Sequence, residues 1–533
     1  FDLTDEELRD GAKHAARAVQ RLVAERHEEG FSPVAILRSA RRLARRYEVA
    51  LPSTTGLTQS LNRLCDAAWW RRALRKRFRT VEHLAIQSGA VHRHAAPYVS
   101  DRAMRRALRD RRRTAELLAS MDAINQATGE VVPLEELVKQ SLANPSNRRK
   151  AMMARIKGIE EHAKAKGHQA LFLTITCPSR LHARRSTGAR NERHDRSSPR
   201  DAQAYLSRVW RRAMRKLQHD GAEVYGMRVV EPHHDACPHW HVLVFAAPEA
   251  CSQVIDTVRG YALCESPDEP GAAEHRFTVE RIDPSRGSAV GYVAKYVSKS
   301  IDGEGVEDDD ESSTPGADAS KRIVTWARVW NFRQFQFFGV PPITPTRELY
   351  RLANLAVPSE GLQAAHSAAK ANDYGAWLSA CESFGLRFAV TYSERPSSRY
   401  ADETAKRIAG VSAQAADLQD ALQLVTRSEE WRIEPRGGQA ETADLALPWT
   451  RFNNCAPVDS IEVFGSNVGV EGIAEKAASG RWFVRFPQGF GRGSVGPCKR
   501  PADAWAAYFH GAAYEPRDIE IALAEGAALE CEQ

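Results

Sequence analysis

The sequence predicts an α+β fold built on a central antiparallel sheet, and three observations support this prediction. Between about residues 170 and 300, β-rich runs and helical patterns alternate in the order β-α-β-β-α-β-α. This order is typical of an antiparallel sheet that carries helices on one face. The first 165 residues are rich in Ala, Leu, Arg and Glu, which favour helices. With 533 residues, of which 43% are hydrophobic, the chain has enough apolar content for two to four folded domains.

Local patterns predict each element of this central region. The β-rich run Leu171–Thr176 ends at Pro178 and predicts the first strand. Asp201 can cap a helix that reaches about residue 218. The remaining expected elements are a strand ending near Glu231, a strand His239–Ala246, a helix around 248–264, a strand Arg276–Ile282 and a helix of about 287–301.

Charge and cysteine content exclude some classes of protein. The formal net charge is +7 and the pI is about 8.9, which is compatible with nucleic acid as a partner. The nine cysteines are scattered without a CxxC pair. They form neither a disulfide framework nor a zinc finger pattern, and they suit a reducing cytosol. No apolar run approaches the roughly 20 residues that span a bilayer.

One predicted helix in the N-terminal part carries a basic stripe. Its arginines follow the spacing i, i+3, i+4, i+7 and i+11, and they are Arg102, Arg105, Arg106, Arg109 and Arg113. Residues at this spacing share one face of a helix. The stripe is either a solvated helix face or a surface that contacts nucleic-acid phosphates.

Two histidines flank one tryptophan on a predicted strand. Because residues i and i+2 of a strand point to the same side, His239 and His241 project together, and Trp240 is expected to be buried on the other side. Glu231 reaches the same point if the two strands form a hairpin. Two imidazoles and a carboxylate suit a divalent ion such as Mg²⁺ or Mn²⁺. The alternatives are zinc, a histidine pair without a metal, or a different third ligand among His233, His234 and Asp235.

Two tyrosines four residues apart follow this cluster. Tyr292 and Tyr296 share one face of a predicted helix with Lys295 and Lys299. A different face carries the aliphatic side chains that we expect to be buried, Val290, Ala294, Val297 and Ile301. An activated tyrosine is a covalent nucleophile. The lysines are expected to bind phosphate and to favour the phenolate, since the unperturbed tyrosine pKa is about 10.

A metal cluster followed by a tyrosine pair predicts an enzyme that nicks DNA and joins itself to the cut strand. The metal would polarise the scissile phosphate and stabilise the departing 3′ oxygen. The products would be a 5′-phosphotyrosine link and a free 3′-OH. Two tyrosines in one site allow two successive transfers, which completing a round of rolling-circle replication requires.

Three motifs in this order resemble the bacteriophage replication gene A protein family of the HUH endonuclease superfamily. They are the first strand motif Phe172–Thr176, the HUH strand Pro238–Phe245 and the two-tyrosine helix Gly291–Lys299. Arg333–Pro342 and Pro448–Cys455 also resemble family segments. The resemblance therefore covers about residues 60–455.

The resemblance implies a replication initiator endonuclease that nicks single-stranded phage origin DNA. It implies Tyr292 and Tyr296 as nucleophiles and His239, His241 and Glu231 as ligands of a divalent metal. The 533 residues contain no GxxxxGK[ST] phosphate loop. We therefore expect a host helicase and the host replication machinery as partners, in the cytoplasm of a bacterial cell.

Changes in composition divide the chain into five expected regions. They are a basic helical region that we expect to bind DNA (1–165), an HUH endonuclease domain (166–303), an acidic flexible linker (304–320), a family-associated region (321–455) and a small α/β tail (456–533). Helical patterns return over about 344–385 and 400–428. The tail contains a strand-like run at Arg481–Phe486 and a helical pattern near 501–511.

Two other functions fit the same residues. A two-tyrosine transposase would use the same chemistry on the ends of a mobile element. A non-catalytic DNA-binding protein with a structural metal would need the histidines but not the tyrosines.

Overall fold

A computed structural model describes residues 5–52, 56–309, 312, 314–353, 355, 359–396, 404–418 and 420–437, and three short strands between residues 473 and 494. The helices are α1 (Asp5–Glu28), α2 (Pro33–Arg46), α3 (Leu57–Leu64), α4 (Ala67–Arg75), α5 (Phe78–Ser88), α6 (Asp101–Ala119), α7 (Leu134–Gln140), α8 (Pro145–Ala165), α9 (Pro199–His219), α10 (Cys251–Leu263), α11 (Ala272–His275), α12 (Ala289–Lys299), α13 (Gly316–Trp330), α14 (Thr344–Arg351), α15 (Glu360–Lys370) and α16 (Tyr374–Ser383). The strands are β1 (Met121–Asn125), β2 (Val131–Pro133), β3 (Gln169–Ile175), β4 (Val224–Pro232), β5 (Pro238–Ala246), β6 (Phe277–Arg281), β7 (Phe335–Phe338), β8 (Arg387–Pro396), β9 (Thr404–Gln414), β10 (Leu422–Val425), β11 (Trp431–Pro435), β12 (Ile473–Lys476), β13 (Trp482–Arg485) and β14 (Gly493–Ser494).

The chain divides into two compact units. One contains residues 1–78, 394–405 and 457–533, and helices α1 to α4 pack there around the buried Trp70 and Leu64. The other contains residues 79–393 and 406–456. Every residue considered below for function lies in this second unit. Among the described helices, none has the length and apolar character that crossing a bilayer requires.

A five-stranded sheet forms the centre of the second unit, and it confirms the predicted α+β class. The strand order is β6-β3-β5-β4-β7, and every neighbouring pair is antiparallel. The predicted order of strands and helices between β3 and α12 is also confirmed. The edge strand β7, which has only four residues, was not predicted. Helix α9 starts one turn before the predicted cap, with Ser198 and Asp201 forming a reciprocal capping box.

Helices cover both faces of this sheet, which corrects the expectation that they lie on one face. All residues of β4 and β5 are buried, so each face needs a packing partner. Helices α9 and α10 cover one face through side chains such as Val209 and Val258. Helices α8 and α12 cover the other face through side chains such as Ile159 and Val293. The side chains of one strand therefore alternate between two separate cores.

Trp240 anchors the middle of β5 in the core under α9. Its side chain is fully buried, as predicted, and its indole N–H donates to the Gln203 side chain at 2.9 Å. The guanidinium of Arg228 lies 3.7 Å from the centre of its ring. Because neighbouring residues of a strand point to opposite faces, this anchor fixes the direction of the histidines on either side.

We expect Trp240→Ala to lower the free energy of unfolding by about 3–5 kcal/mol, because a buried indole leaves a cavity that the surroundings only partly fill. Chemical denaturation followed by circular dichroism measures this loss. The control is Trp431→Ala, since Trp431 is 38% exposed and its replacement should change the free energy by about 0.5 kcal/mol. Equal losses in the two variants would contradict the anchoring role of Trp240.

The acidic segment that was expected to be a flexible linker is packed against the fold at some of its described residues, whereas Glu307 and Asp308 are exposed. Asp309 and Ser312 are only 1% and 6% exposed, and helix α13 begins at Gly316, inside the segment. The Asp309 carboxylate forms an ion pair with Lys299 at 2.6 Å. The ion pair with Lys299 therefore holds Asp309 in the fold, although the acidic composition of the segment suggested disorder.

The helical prediction for 400–428 is wrong at its described residues. Strands β9 and β10 lie there as an antiparallel pair, with Val411 and Ala413 buried. Pairing with a neighbouring strand outweighs the helix preference of the alanines in this segment. In the tail, β13 confirms the predicted strand, whereas the pattern near 501–511 and the family segment 448–455 lie outside the described residues.

Candidate functional site

Three potential metal ligands lie side by side at the end of the β4–β5 hairpin. Glu231 is directly opposite His239 in the antiparallel register, and His241 is two residues further along β5. One ligand atom from each of the three lies within 4.8 Å of the others. All three side chains are buried. The hairpin that was proposed for Glu231 is therefore present, and it brings the carboxylate to the two imidazoles.

The donor atoms fit a small divalent ion. The Nε2 atoms of His239 and His241 face each other at 3.0 Å. Burial lowers the pKa of His239 well below its usual value, and the neighbouring histidines and Lys299 lower it further. The imidazole is therefore neutral, which is the form that binds metals. Thr174 on β3 lies 3.0 Å from Nδ1 of His241, and this contact leaves Nε2 for a ligand.

The rival ligands occupy other positions in the turn. The ring of His233 packs against that of His239, with 4.1 Å between their centres. Asp235 accepts a hydrogen bond from the backbone N–H of Cys237 at 3.1 Å and lies 3.3 Å from His182. Neither His233, His234 nor Asp235 belongs to the three-residue cluster found among the described residues.

The tyrosine helix α12 lies directly over this cluster. The ring of Tyr296 packs on His241 with 4.0 Å between centres, and on Phe172 of β3 at 5.2 Å. Tyr292, one turn earlier, hydrogen-bonds the Glu280 carboxylate, and this bond raises the pKa of the phenol. In this structure the Glu280 carboxylate therefore disfavours the phenolate of Tyr292, which runs against the expectation that neighbouring lysines favour it.

The buried face of α12 differs in part from the predicted one. Val293, Val297 and Ile301 are buried, whereas Val290 and Ala294 are only partly buried. The tyrosines lie beside this face and are themselves half-buried, because they pack against the edge of the same core.

The two lysines of α12 have different surroundings. Lys295 is exposed, as a phosphate-binding side chain must be. Lys299 is buried, and its ammonium lies 2.6 Å from Asp309 and 3.5 Å from Glu231. The prediction that Lys299 binds phosphate beside the tyrosines is therefore corrected, because its ammonium pairs with Asp309 and with Glu231, which is itself a member of the candidate cluster.

The C-terminal end of α12 also orients the third ligand. Ser300 donates a hydrogen bond to Glu231 at 2.9 Å, so this carboxylate is held by the last residue of the tyrosine helix, Lys299, and by the residue that caps its end. Sequence analysis missed Ser300, Asp309 and Thr174. Thr174 could have been predicted from the sequence, because a hydroxyl within the apolar run of β3 needs a hydrogen-bond partner.

Glu160 on α8 caps the start of the tyrosine helix. Its buried carboxylate accepts hydrogen bonds from the backbone N–H groups of Ala289 at 3.2 Å and Val290 at 3.0 Å. A carboxylate in this position satisfies helix donors and complements the helix dipole. We expect Glu160→Ala to lower the free energy of unfolding by about 1–2 kcal/mol and to slow any reaction of the tyrosines.

The matched control for the cap is Glu161→Ala. This neighbour has the same charge and lies on the same helix, but it is exposed and pairs with the exposed Lys157 at 3.5 Å. Chemical denaturation should separate the two variants. If both lose the same stability, the carboxylate of Glu160 does not hold the helix.

The arginines of the basic stripe on α6 differ in their exposure to solvent. Arg105 and Arg109 are exposed, whereas Arg102 and Arg106 are half-buried. The helix itself is confirmed, and it begins at the N-cap Ser100. The exposed arginines remain available to phosphates, but the half-buried pair is partly engaged within the fold.

Comparisons with known proteins find relatives among phage replication proteins. The family model of the bacteriophage replication gene A protein (GPA) matches residues 14–304. The replication gene A protein of Escherichia phage P2 is 33% identical over 440 residues, which are 77% of this chain and 57% of that protein. The replication gene A protein of Escherichia phage 186 is 35% identical over 76% of this chain and 60% of its own length.

A probable replication endonuclease from a prophage-like region of Salmonella paratyphi A is 32% identical over 88% of this chain and 60% of its own length. The chain thus spans less than two thirds of the length of these relatives. No solved structure matches it. Because the family model covers more than half of the chain, including the histidine and tyrosine motifs, the chain belongs to the bacteriophage replication gene A protein family.

Proposed function

We propose that this chain is a metal-dependent DNA endonuclease and strand transferase of the HUH superfamily, which starts rolling-circle replication of phage DNA. The observation that carries the proposal is the 4.0 Å separation between the rings of Tyr296 and His241. A potential nucleophile and a potential metal ligand therefore belong to one site. The names of the relatives, replication gene A protein and probable replication endonuclease, support the part of the proposal that concerns replication and endonuclease activity.

In this proposal Glu231, His239 and His241 would hold Mg²⁺ or Mn²⁺, and the ion would supply charge stabilisation at the scissile phosphate. A tyrosine oxygen attacks the phosphorus, and the bond from phosphorus to the 3′ oxygen breaks. The proton lost by the tyrosine is balanced by the proton gained by the 3′ oxygen. The products are a 5′-phosphotyrosine and a free 3′-OH.

The second tyrosine repeats this step at a regenerated junction. Tyr292 and Tyr296 lie one turn apart on α12, so one can hold a 5′ end while the other attacks. Attack of a 3′-OH on the phosphotyrosine then rejoins the strand and releases the enzyme. We propose Lys295, Arg105 and Arg109 as phosphate contacts, and a host helicase and polymerase as partners.

A covalent-adduct assay tests this proposal. The full chain is incubated with Mn²⁺ and single-stranded fragments that tile the genome encoding it, and the products are separated in SDS. We expect one or a few fragments to form an SDS-resistant adduct that protease removes. If the chain binds these fragments but forms no adduct, a non-catalytic DNA-binding protein is the better description.

A further inference from the structure

Helix α9 presents four exposed arginines on the face that points away from the sheet. They are Arg208, Arg211, Arg212 and Arg215, which we call the α9 arginine face. The opposite side of the helix is buried in the core under the sheet, as Leu206 and Val209 show. The four arginines follow a spacing of three to four residues, so they share one helix face about 10 Å long.

This face is not neutralised by carboxylates. Among the described residues, none of the four arginines forms an ion pair. An exposed arginine elsewhere in the same unit does have such a partner, since Arg193 pairs with Glu269 at 3.4 Å. Asp220, just after α9, is held by Lys216 at 2.5 Å. The helix therefore keeps an excess positive charge, which attracts a polyanion.

An aromatic side chain borders the arginines. Tyr261 of α10 lies in a shallow groove together with Arg212, Arg215 and Lys216. It is half-buried, so part of its ring is accessible. Arginines that track a backbone beside an aromatic ring that stacks on a base are typical of proteins that bind single-stranded nucleic acid.

A buried arginine on the same side of the sheet adds to this charge. Arg228 is 9% exposed, its Nε has no hydrogen-bond partner, and its guanidinium is held by the Gln336 side chain and the ring of Trp240. Burial and the nearby Arg333 lower the pKa of Arg228 to about 9. Burying a cation without a carboxylate partner lowers the stability of the fold, and an anion that binds nearby offsets part of this loss.

We propose that the α9 arginine face and Tyr261 bind the backbone of single-stranded DNA on the side of the sheet opposite the tyrosine helix. The inference rests on the proposed function only in taking DNA as the ligand. The sheet separates this surface from α12, because Trp240 points to α9 whereas His241 points to Tyr296. DNA bound there is held independently of the scissile phosphate, so a strand stays attached after it has been cut.

The test compares two variants of the full chain that each lose four positive charges. One carries Arg208→Gln, Arg211→Gln, Arg212→Gln and Arg215→Gln. The control carries Lys139→Gln, Lys157→Gln, Lys321→Gln and Lys370→Gln, which remove exposed lysines scattered over the same unit. Fluorescence anisotropy measures binding of labelled oligo(dT) in EDTA, over a series of salt concentrations.

We expect the arginine variant to bind oligo(dT) at least tenfold more weakly at low salt, and the control to bind like the unchanged chain. The slope of log affinity against log salt should fall by about 2–3, since each contact with a single strand contributes about 0.7. Tyr261→Ala should weaken binding of the single strand but not of duplex DNA. Equal affinities and slopes in the two quadruple variants, or tighter binding of duplex than of single strand, would overturn the proposal.

The adduct assay on a short cleavable fragment separates this inference from the proposed function. We expect the arginine variant to form the adduct at the same maximal rate as the unchanged chain, which also shows that it is folded. If adducts form but the arginine variant binds oligo(dT) like the control, only this inference fails. If the arginine variant loses affinity but the unchanged chain forms no adduct, only the proposed function fails.

Discussion

Replacing both tyrosines of α12 is expected to abolish the covalent adduct and to reduce nicking by at least about four orders of magnitude, as loss of a catalytic nucleophile does. Tyr292→Phe/Tyr296→Phe removes two hydroxyls but keeps both rings. The packing of residue 296 on His241 and Phe172 is therefore preserved. Gel electrophoresis in SDS measures the adduct, and a fluorescent oligonucleotide measures nicking.

The control for the tyrosine variant is Tyr350→Phe, because Tyr350 is 54% exposed and lies on α14. It should form the adduct at the unchanged rate. An adduct that persists in the double variant would mean that another side chain is the nucleophile. Tyr292→Phe and Tyr296→Phe as single variants then assign the order of attack, since the two phenols have different neighbours.

Removing both imidazoles of β5 is expected to have an effect of similar size on cleavage. His239→Ala/His241→Ala leaves Glu231 as the remaining member of the described cluster. Changes in the residues that merely orient metal ligands cost about 10–100-fold in affinity or activity. We therefore expect Mn²⁺ affinity to fall by more than about a hundredfold, as measured by calorimetry, with metal-dependent cleavage lost in parallel.

We expect His239→Ala/His241→Ala to bind DNA in EDTA as tightly as the unchanged chain, because this binding is proposed to depend on arginines outside the cluster. The matched control is His27→Ala/His275→Ala, which removes two exposed histidines. It should leave Mn²⁺ affinity and cleavage unchanged. Cleavage that continues in His239→Ala/His241→Ala, or unchanged Mn²⁺ affinity, would show that the metal is bound elsewhere.

The arrangement of the histidines could be predicted because it depends on local rules. Alternation along β5 separates Trp240 from His239 and His241, and a tight hairpin brings Glu231 opposite His239. The tyrosine helix was likewise predictable from its spacing. These relations hold within about ten residues, where strand and helix geometry leave little freedom.

Contacts that do not follow from the geometry of one strand pair or one helix could not be predicted in this way. Glu160 reaches the start of α12 from 129 residues earlier in the sequence. Asp309 lies in an acidic run whose composition suggested disorder, but its pairing with Lys299 holds it in the fold. Lys299 looked like a surface lysine because helix periodicity does not reveal which neighbours pack against each face. Such partners depend on tertiary packing, which a single sequence does not specify.

The most direct test of the account follows the scissile phosphate itself. A cleavable single strand carrying ³²P at that phosphate is incubated with the chain and Mn²⁺, and the adduct is digested with trypsin and sequenced. We predict the label on the peptide that contains Tyr292 and Tyr296, together with a free 3′-OH that a polymerase extends. A label on the released DNA end, or on a peptide from another part of the chain, would contradict the central claim.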